Sequence, residues 1–430
     1  MDDLEAPGAM LRRVAGLATA ARDIVLLFTG GDVASLDMCA NALLQMRDVG
    51  LEQHALVVTE RAQHCAALAR RPARAACGWS SRILEWAPAD SVSMRKFWDA
   101  RFRFYPVKKR WLAELVRAGY GVLQADTDTA WKRNPLPALR TINASIIVQA
   151  DNPIANAGLI YARPGGARAQ AMLDRLAWTI SLMQSRPSVV GALVPFARPP
   201  YYANSDDQTG LNDAIVVAVT NNQSFALLGS IFRFEARSVH HASNVSWTSR
   251  PEFITWKNGL RQTLAKRRTL HMRDGGKWFK CDGFPLGEND HLAVAPPNLF
   301  AHAEGGWYGL DNAITHLSGH RDFEAKRSAL RDAGRWLLTQ SSPIPAELDR
   351  GEGSHRLSRG GGRREEGGRV QKLQTARQQM VSRAEKGAEK RAARAAQVAA
   401  APHAPAAAER VYLARPPTHS IPPSLLTLSR

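Results

Sequence analysis

The sequence predicts an α/β domain with a mostly parallel sheet flanked by helices. Short, uniformly apolar runs such as Ile24-Val-Leu-Leu-Phe28 have the look of strands buried on both faces. They alternate with longer stretches that read as helices and stop at glycine, as at Gly50 and Gly119. Polar loops bearing Gly or Asp follow the apolar runs, where ligands bind in such sheets.

In chain order, Ile24–Phe28 is the first strand, and Thr29-Gly-Gly-Asp32 is a tight turn leading into a helix through Asp48. His54–Thr59 reads as the second strand. A helix over Lys108–Ala118 stops at Gly119, and Tyr120–Ala125 follows as a strand ending in Asp126-Thr-Asp128. Ile146–Ala150 and Ala157–Tyr161 are further short strands. Because Thr29–Asp32 and Asp126–Asp128 both lie at carboxyl ends of strands, both loops are expected on one rim.

Composition sets the limits. The 430 residues hold Lys+Arg 57 against Asp+Glu 39, a net +18, which suits an anionic partner. From Ser341 onward there are 16 Lys/Arg and 8 Asp/Glu, so much of that excess sits in the last fifth of the chain. No run approaches the roughly 20 apolar residues of a spanning helix, and Gly 32 and Pro 24 exclude a fibrous repeat. We divide the chain into an N-terminal segment 1–20 with no clear anchor, a domain over 21–340, and a basic low-complexity tail over 341–430, disordered or loosely helical. The four cysteines form no CxxC pair. Cys65 and Cys77 are near enough to bridge, and four buried thiols is the other reading. Sequons at Asn143, Asn222 and Asn244 permit a secretory lumen.

The strongest local signal is Gly119-Tyr-Gly-Val-Leu-Gln-Ala-Asp-Thr-Asp-Thr-Ala-Trp131. Two carboxylates spaced one apart at a strand's end suit a hard divalent cation, Mg²⁺ or Mn²⁺, if a turn starts there and brings both to one side. The same acids could cap a turn. They could also be a phosphatase-type nucleophile motif, which wants Thr or Val where Ala130 stands. His316, in His316-Leu-Ser-Gly-His320, could be delivered by a short strand as a third ligand. Gly319 could let backbone approach a phosphate, and Lys326 could neutralise it. Asn156 and Gly158 open a strand on the same rim. Asp207 and Gln208 start a helix, where Asp206 would be an N-cap and Asp207 a first-turn charge; a catalytic or sugar-binding role is the alternative.

Phe102 to Pro135, together with Asn156-Ala-Gly158 and Asp207-Gln208, resembles the nucleotide-diphospho-sugar transferases of plants and green algae. That family includes arabinosyl-, xylosyl- and galactosyltransferases acting on cell walls and glycoproteins. The ending, with His316, Gly319, Lys326 and Trp336, is similar to that of glycogenin-like transferases, although its gap before Lys326 is longer. The resemblance spans about Asp23 to Trp336. It implies a GT-A fold, a nucleotide-sugar donor (uridine-linked) held through Mn²⁺ (or Mg²⁺), and retention of anomeric configuration. Under it, Asp126, Asp128 and His316 hold the metal. Thr29, Asp32, Lys108, Asp126, Asn156, Gly158 and Lys326 face the donor. Asp207 and Gln208 are the catalytic candidates. The acceptor would be a glycan or a hydroxyproline-rich protein, and the location the Golgi or secretory lumen. The family's usual N-terminal anchor has no counterpart here, and the tail resembles nothing in it. The competing expectations are an RNA-binding protein acting through the Arg/Gly-rich segment Gly351–Val370 and a catalytically inactive homologue.

Overall fold

The structure, a computed structural model, describes residues 3–85, 103–151, 153–185, 207–226, 251–274, 276–302, 312–318 and 322–339. All of them fall within one compact unit, Met1–Glu352. The tail from 341, Asp206, Gly319, His320 and the sequon at Asn244 lie outside the described residues.

The strands are β1 Asp23–Phe28, β2 Ala55–Thr59, β3 Ala76–Trp79, β4 Gly121–Ala125, β5 Thr129–Trp131, β6 Ile146–Ala150, β7 Ala155–Ala162, β8 Arg268–Asp274, β9 Lys277–Pro285, β10 His291–Ala295, β11 Phe300–His302 and β12 Ile314–His316. The helices are α1 Ala9–Ala15, α2 Val33–Asp48, α3 Ala62–Ala69, α4 Arg82–Glu85, α5 Phe104–Arg117, α6 Leu136–Thr141, α7 Ala167–Ser185, α8 Asp207–Thr220, α9 Pro251–Ala265 and α10 Phe323–Asp332.

Nine strands form one sheet in the order β3-β2-β1-β4-β7-β6-β10-β9-β8. Seven point the same way; β7 and β9 run against them. The expected mostly parallel sheet is therefore present, interrupted by β7, which lies antiparallel between β4 and β6. β5, β11 and β12 make a second, three-stranded sheet. Their three-residue length is too short to show a periodicity in sequence.

Alternation along β1 shows how the apolar runs are used. Ile24 and Leu26 enter one core with α1, α5, α7 and α8, while Val25 and Leu27 enter the other with α2, α3 and α6. Burial on both faces is why the strand is uniformly apolar. Gly119 follows α5 with φ 89°, the left-handed conformation that ends many helices.

The N-terminal segment packs on the sheet. Leu4, Met10 and Val14 are buried in the first core, and the Leu4 amide donates to the Trp79 carbonyl at 2.8 Å. Cys65 and Cys77 are joined by a disulfide that ties α3 to β3 across a separation of 12 residues. Closing a loop of that length stabilises by roughly 3 kcal/mol on chain-entropy grounds. Cys39 and Cys281 are buried thiols, and burial pushes them up to about 12 and about 11. Among the described residues no helix is long and apolar enough to cross a membrane.

Candidate functional site

The site forms where β4 ends. The Asp126 amide donates to the Gly158 carbonyl at 2.8 Å, and the Thr129 hydroxyl donates back to the Asp126 carbonyl at 2.9 Å. This closes a turn across Asp126-Thr-Asp128 instead of continuing the strand, so neighbouring acids need not point to opposite faces. The chain leaves as β5, which pairs antiparallel with β12 and sets His316 opposite Thr129. The Leu317 amide donates to the Asp128 carbonyl at 3.0 Å and holds that register.

His316 Nε2 consequently lies 3.6 Å from an Asp126 carboxylate oxygen and 3.4 Å from one of Asp128. One ligand atom from each of the three residues falls within 4.8 Å of the others. The residue behind His316 also fits a metal site. Gln149 donates from its amide nitrogen to the Ala301 carbonyl at 2.7 Å, which turns its oxygen to His316 Nδ1 at 3.0 Å. A proton on Nδ1 then satisfies Gln149, and the Nε2 lone pair faces the two carboxylates. Two hard oxygens and one imidazole nitrogen suit Mn²⁺ or Mg²⁺ with remaining positions for water or phosphate.

The charges around this set are strongly coupled. Burial alone would raise the Asp128 carboxyl, but His316 and Lys326 outweigh it and hold Asp128 well below the usual carboxylate range. Burial would lower His316, and the carboxylates of Asp128 and Asp126 raise it instead. Lys326 Nζ donates to Asp128 at 2.6 Å from the first turns of α10. Lys108 ion-pairs with Asp126 and sits 3.5 Å from Asp207. Burial opposes its charge, yet those two acids raise it above an ordinary lysine.

Gly158 is fixed by contact. A Cβ placed there would lie 2.1 Å from His316 Cε1 and 2.9 Å from the Asn156 side-chain oxygen. The imidazole packs against the bare backbone of β7. Gly158→Ala must displace His316, and we expect divalent-cation affinity to fall at least ten-fold with a melting temperature shift of a few degrees. Titrating Mn²⁺ into the variant checks this; an unchanged affinity would refute the contact.

Beside the cation-type cluster lies a polar triangle. Asn156 donates to Asp151 at 3.0 Å and to Gln208 at 2.9 Å, and Gln208 donates to the same Asp151 oxygen at 3.0 Å. Asn156 also accepts the Gly158 amide at 2.7 Å. Asp207 opens α8, where a carboxylate favours the helix dipole, and it is largely buried against two ammonium groups. Lys109 Nζ is 3.1 Å from it and fully buried. Burial raises the Asp207 carboxyl and the two lysines lower it, with the net direction down.

Thr29 and Asp32 occupy the expected rim but their side chains serve the fold. Thr29 donates to the Ser35 carbonyl at 3.0 Å, and Asp32 is the N-cap of α2, accepting from the Ser35 amide at 2.9 Å and its hydroxyl at 2.6 Å. The structure brings together Lys108, Asp126, Asp128, Asn156, Gly158, Asp207, Gln208, His316 and Lys326. Gln149, Asp151 and Lys109 belong to the same cluster and were not singled out from sequence. Gln149 ends an apolar strand, which is a usable signal. In the sequence Lys109 is one more charge on a helix.

Residues 81–192 match the family model described as nucleotide-diphospho-sugar transferase. That span includes Lys108, Asp126, Asp128, Gln149 and Asn156. No curated protein sequence is similar at a significant level. Among solved structures, the galactosyltransferase LgtC in complex with donor and acceptor sugar analogs shares 13% identity over 76% of this chain and 99% of its own, with a TM-score of 0.33. Mouse xyloside xylosyltransferase 1, in its apo form, shares 15% over 44% of this chain and 81% of its own (TM-score 0.28). The glycosyltransferase GlyE of Streptococcus pneumoniae shares 11% over 57% and 64% (TM-score 0.26).

Proposed function

We propose that this chain, a glycosyltransferase whose residues 81–192 match the nucleotide-diphospho-sugar transferase family, moves a sugar from a uridine-diphosphate donor to a glycan or glycoprotein hydroxyl with retention of configuration. The observation that carries the reading is the convergence of Asp126, Asp128 and His316 within 4.8 Å inside and beside the matched segment.

Asp126, Asp128 and His316 Nε2 would hold a divalent cation, Mn²⁺ or Mg²⁺. When bound, that ion supplies positive charge to the diphosphate leaving group. Lys108 and Lys326 reach the carboxylates from either side, so the leaving diphosphate meets two ammonium groups already fixed in place. Gln149 keeps the His316 ring in the ligand tautomer. Asn156, Asp151 and Gln208 present a set of donors and acceptors for sugar hydroxyls. Asp207 is held by two lysines, which makes it a poor nucleophile and a good anchor for the start of α8. Retention then proceeds by attack on the donor face, with the Gln208 side-chain oxygen stabilising the developing positive charge of the sugar. Thr29 and Asp32 form the turn beneath the nucleotide through their backbone. With Cys65–Cys77 bridged, an oxidising compartment such as the secretory lumen suits the chain.

Calorimetric titration of uridine diphosphate into the full chain, with and without Mn²⁺, tests the reading. Binding is expected only with the metal. Equal binding in its absence would refute the metal-bridged site, and no binding under either condition would refute the uridine-linked donor.

A further inference from the structure

The hairpin β8–β9 forms the outer edge of the large sheet. Its inner side chains, Leu270, Met272, Phe279 and Cys281, pack into the second core. Its register sets Thr269 opposite Asp282, His271 opposite Lys280, and Arg273 opposite Trp278. Those six side chains share the other face of the strand pair, and all six are exposed.

Two properties single out this face. Trp278 is 69% exposed, the highest of the large apolar side chains among the described residues, and the Arg273 guanidinium lies 5.9 Å from its ring centre. The segment from Pro251 to Asp282 also concentrates positive charge. It holds eight Lys/Arg against three Asp/Glu, which is half the excess of residues 1–340 on under a tenth of their length. Asp282 is 3.5 Å from Arg267. Arg273 and Lys280, on the outer face, have no carboxylate partner among the described residues. A single exposed apolar side chain is ordinary. An indole set among unpaired cations on a flat strand pair offers a particular chemistry: its face takes the C–H groups of a pyranose ring, and the flanking cations take carboxylates.

We propose that this face binds an acidic polysaccharide, a glycan carrying uronate carboxylates, by stacking a sugar ring on Trp278 and pairing its charges with Arg273 and Lys280. Same-face residues along each strand are about 6.8 Å apart, so cations and indole meet successive sugars of an extended chain. Nucleic acid fits less well, since single strands are held by several stacking aromatics and this face has one. An anionic membrane fits less well too, since interfacial binding needs a broad apolar surface beside the cations. The choice of a glycan rests on the transferase reading above; binding to this face does not depend on turnover.

The test uses the full chain with no donor present. Polygalacturonate oligomers and neutral dextran are titrated into wild type, Trp278→Ala and the pair Arg273→Glu/Lys280→Glu. All three positions are solvent-facing, and equal melting temperatures confirm that the fold is kept. The expected result is polygalacturonate binding, no dextran binding, at least a ten-fold loss in each variant, and a shallower salt dependence in the charge-reversed pair. Wild-type-like binding in both variants would overturn the proposal and place the interaction in the basic tail. So would a failure to bind polygalacturonate, or tighter Trp278-dependent binding of RNA or phosphatidylserine vesicles. Loss of uridine diphosphate binding with polygalacturonate binding intact would sink the donor reading and leave this surface standing.

Discussion

Asp128→Asn is expected to abolish metal-dependent binding of uridine diphosphate and to lower transfer by about a thousand-fold, near 4 kcal/mol of barrier. The substitution keeps the side chain's shape and removes its charge. Asp128 serves two partners at once, His316 Nε2 at 3.4 Å and Lys326 at 2.6 Å, so it fixes both the cation-type cluster and the nearest ammonium group. The effect should fall on function more than on folding. Lys326 is about a fifth exposed and regains water when its partner is neutral, so the expected stability loss is below about 1 kcal/mol. Chelation of wild type should reproduce the functional loss, and added Mn²⁺ should restore wild type but not the variant. A variant that keeps metal-dependent nucleotide binding would refute the role of Asp128. Parallel losses of binding and melting temperature would instead mark a structural residue.

The parts of this protein that are legible in its sequence are those whose signal is local. β4 is apolar but for the buried Gln124 because both of its faces are buried, and the acids directly after it have no packing reason to be there. The small sheet is different. β5, β11 and β12 are three residues each, and the pairing that delivers His316 to Asp128 joins residues 188 positions apart. Gln149 and His316 meet across 167 positions, and no spacing rule reaches that far. The hairpin β8–β9 carries little signal in sequence because an edge pair alternates apolar with charged residues, and Arg-Thr-Leu-His-Met-Arg-Asp reads as a solvated stretch. Thr29 and Asp32 carry two signals at once. Small polar residues after a strand suit a ligand loop, and they equally suit the start of a helix, since the same oxygen that could accept from a ligand can accept from the Ser35 amide.

Lys109 carries the second large effect. Its ammonium is fully buried, 3.1 Å from Asp207 and 3.3 Å from the Ala157 carbonyl. Ala157 lies between Asn156 and Gly158, so this one cation ties β7, at the point where it presents Asn156, to the start of α8, where Gln208 projects. Lys109→Met fills the same space without charge. It leaves the Asp207 carboxylate with only Lys108, at 3.5 Å, and Lys108 is already engaged by Asp126. Removing one partner of a buried pair costs about 3 kcal/mol or more, so we expect a clear drop in melting temperature together with at least a hundred-fold loss of transfer. The double variant Lys109→Met/Asp207→Asn separates the two consequences. With neither charge left to bury, most of the lost stability should return, while transfer stays low because α8 is no longer tied to β7. Recovery of both together would mean that Lys109 serves folding alone. The pH dependence of wild type gives an independent check. Burial, outweighing the pull of Asp207, lowers Lys109 to about 8, below the roughly 10.4 of a free lysine. Losing that proton loses the tie to Asp207, so transfer should fall as pH rises above about 8, and the pH profile of Lys109→Met should lack this limb.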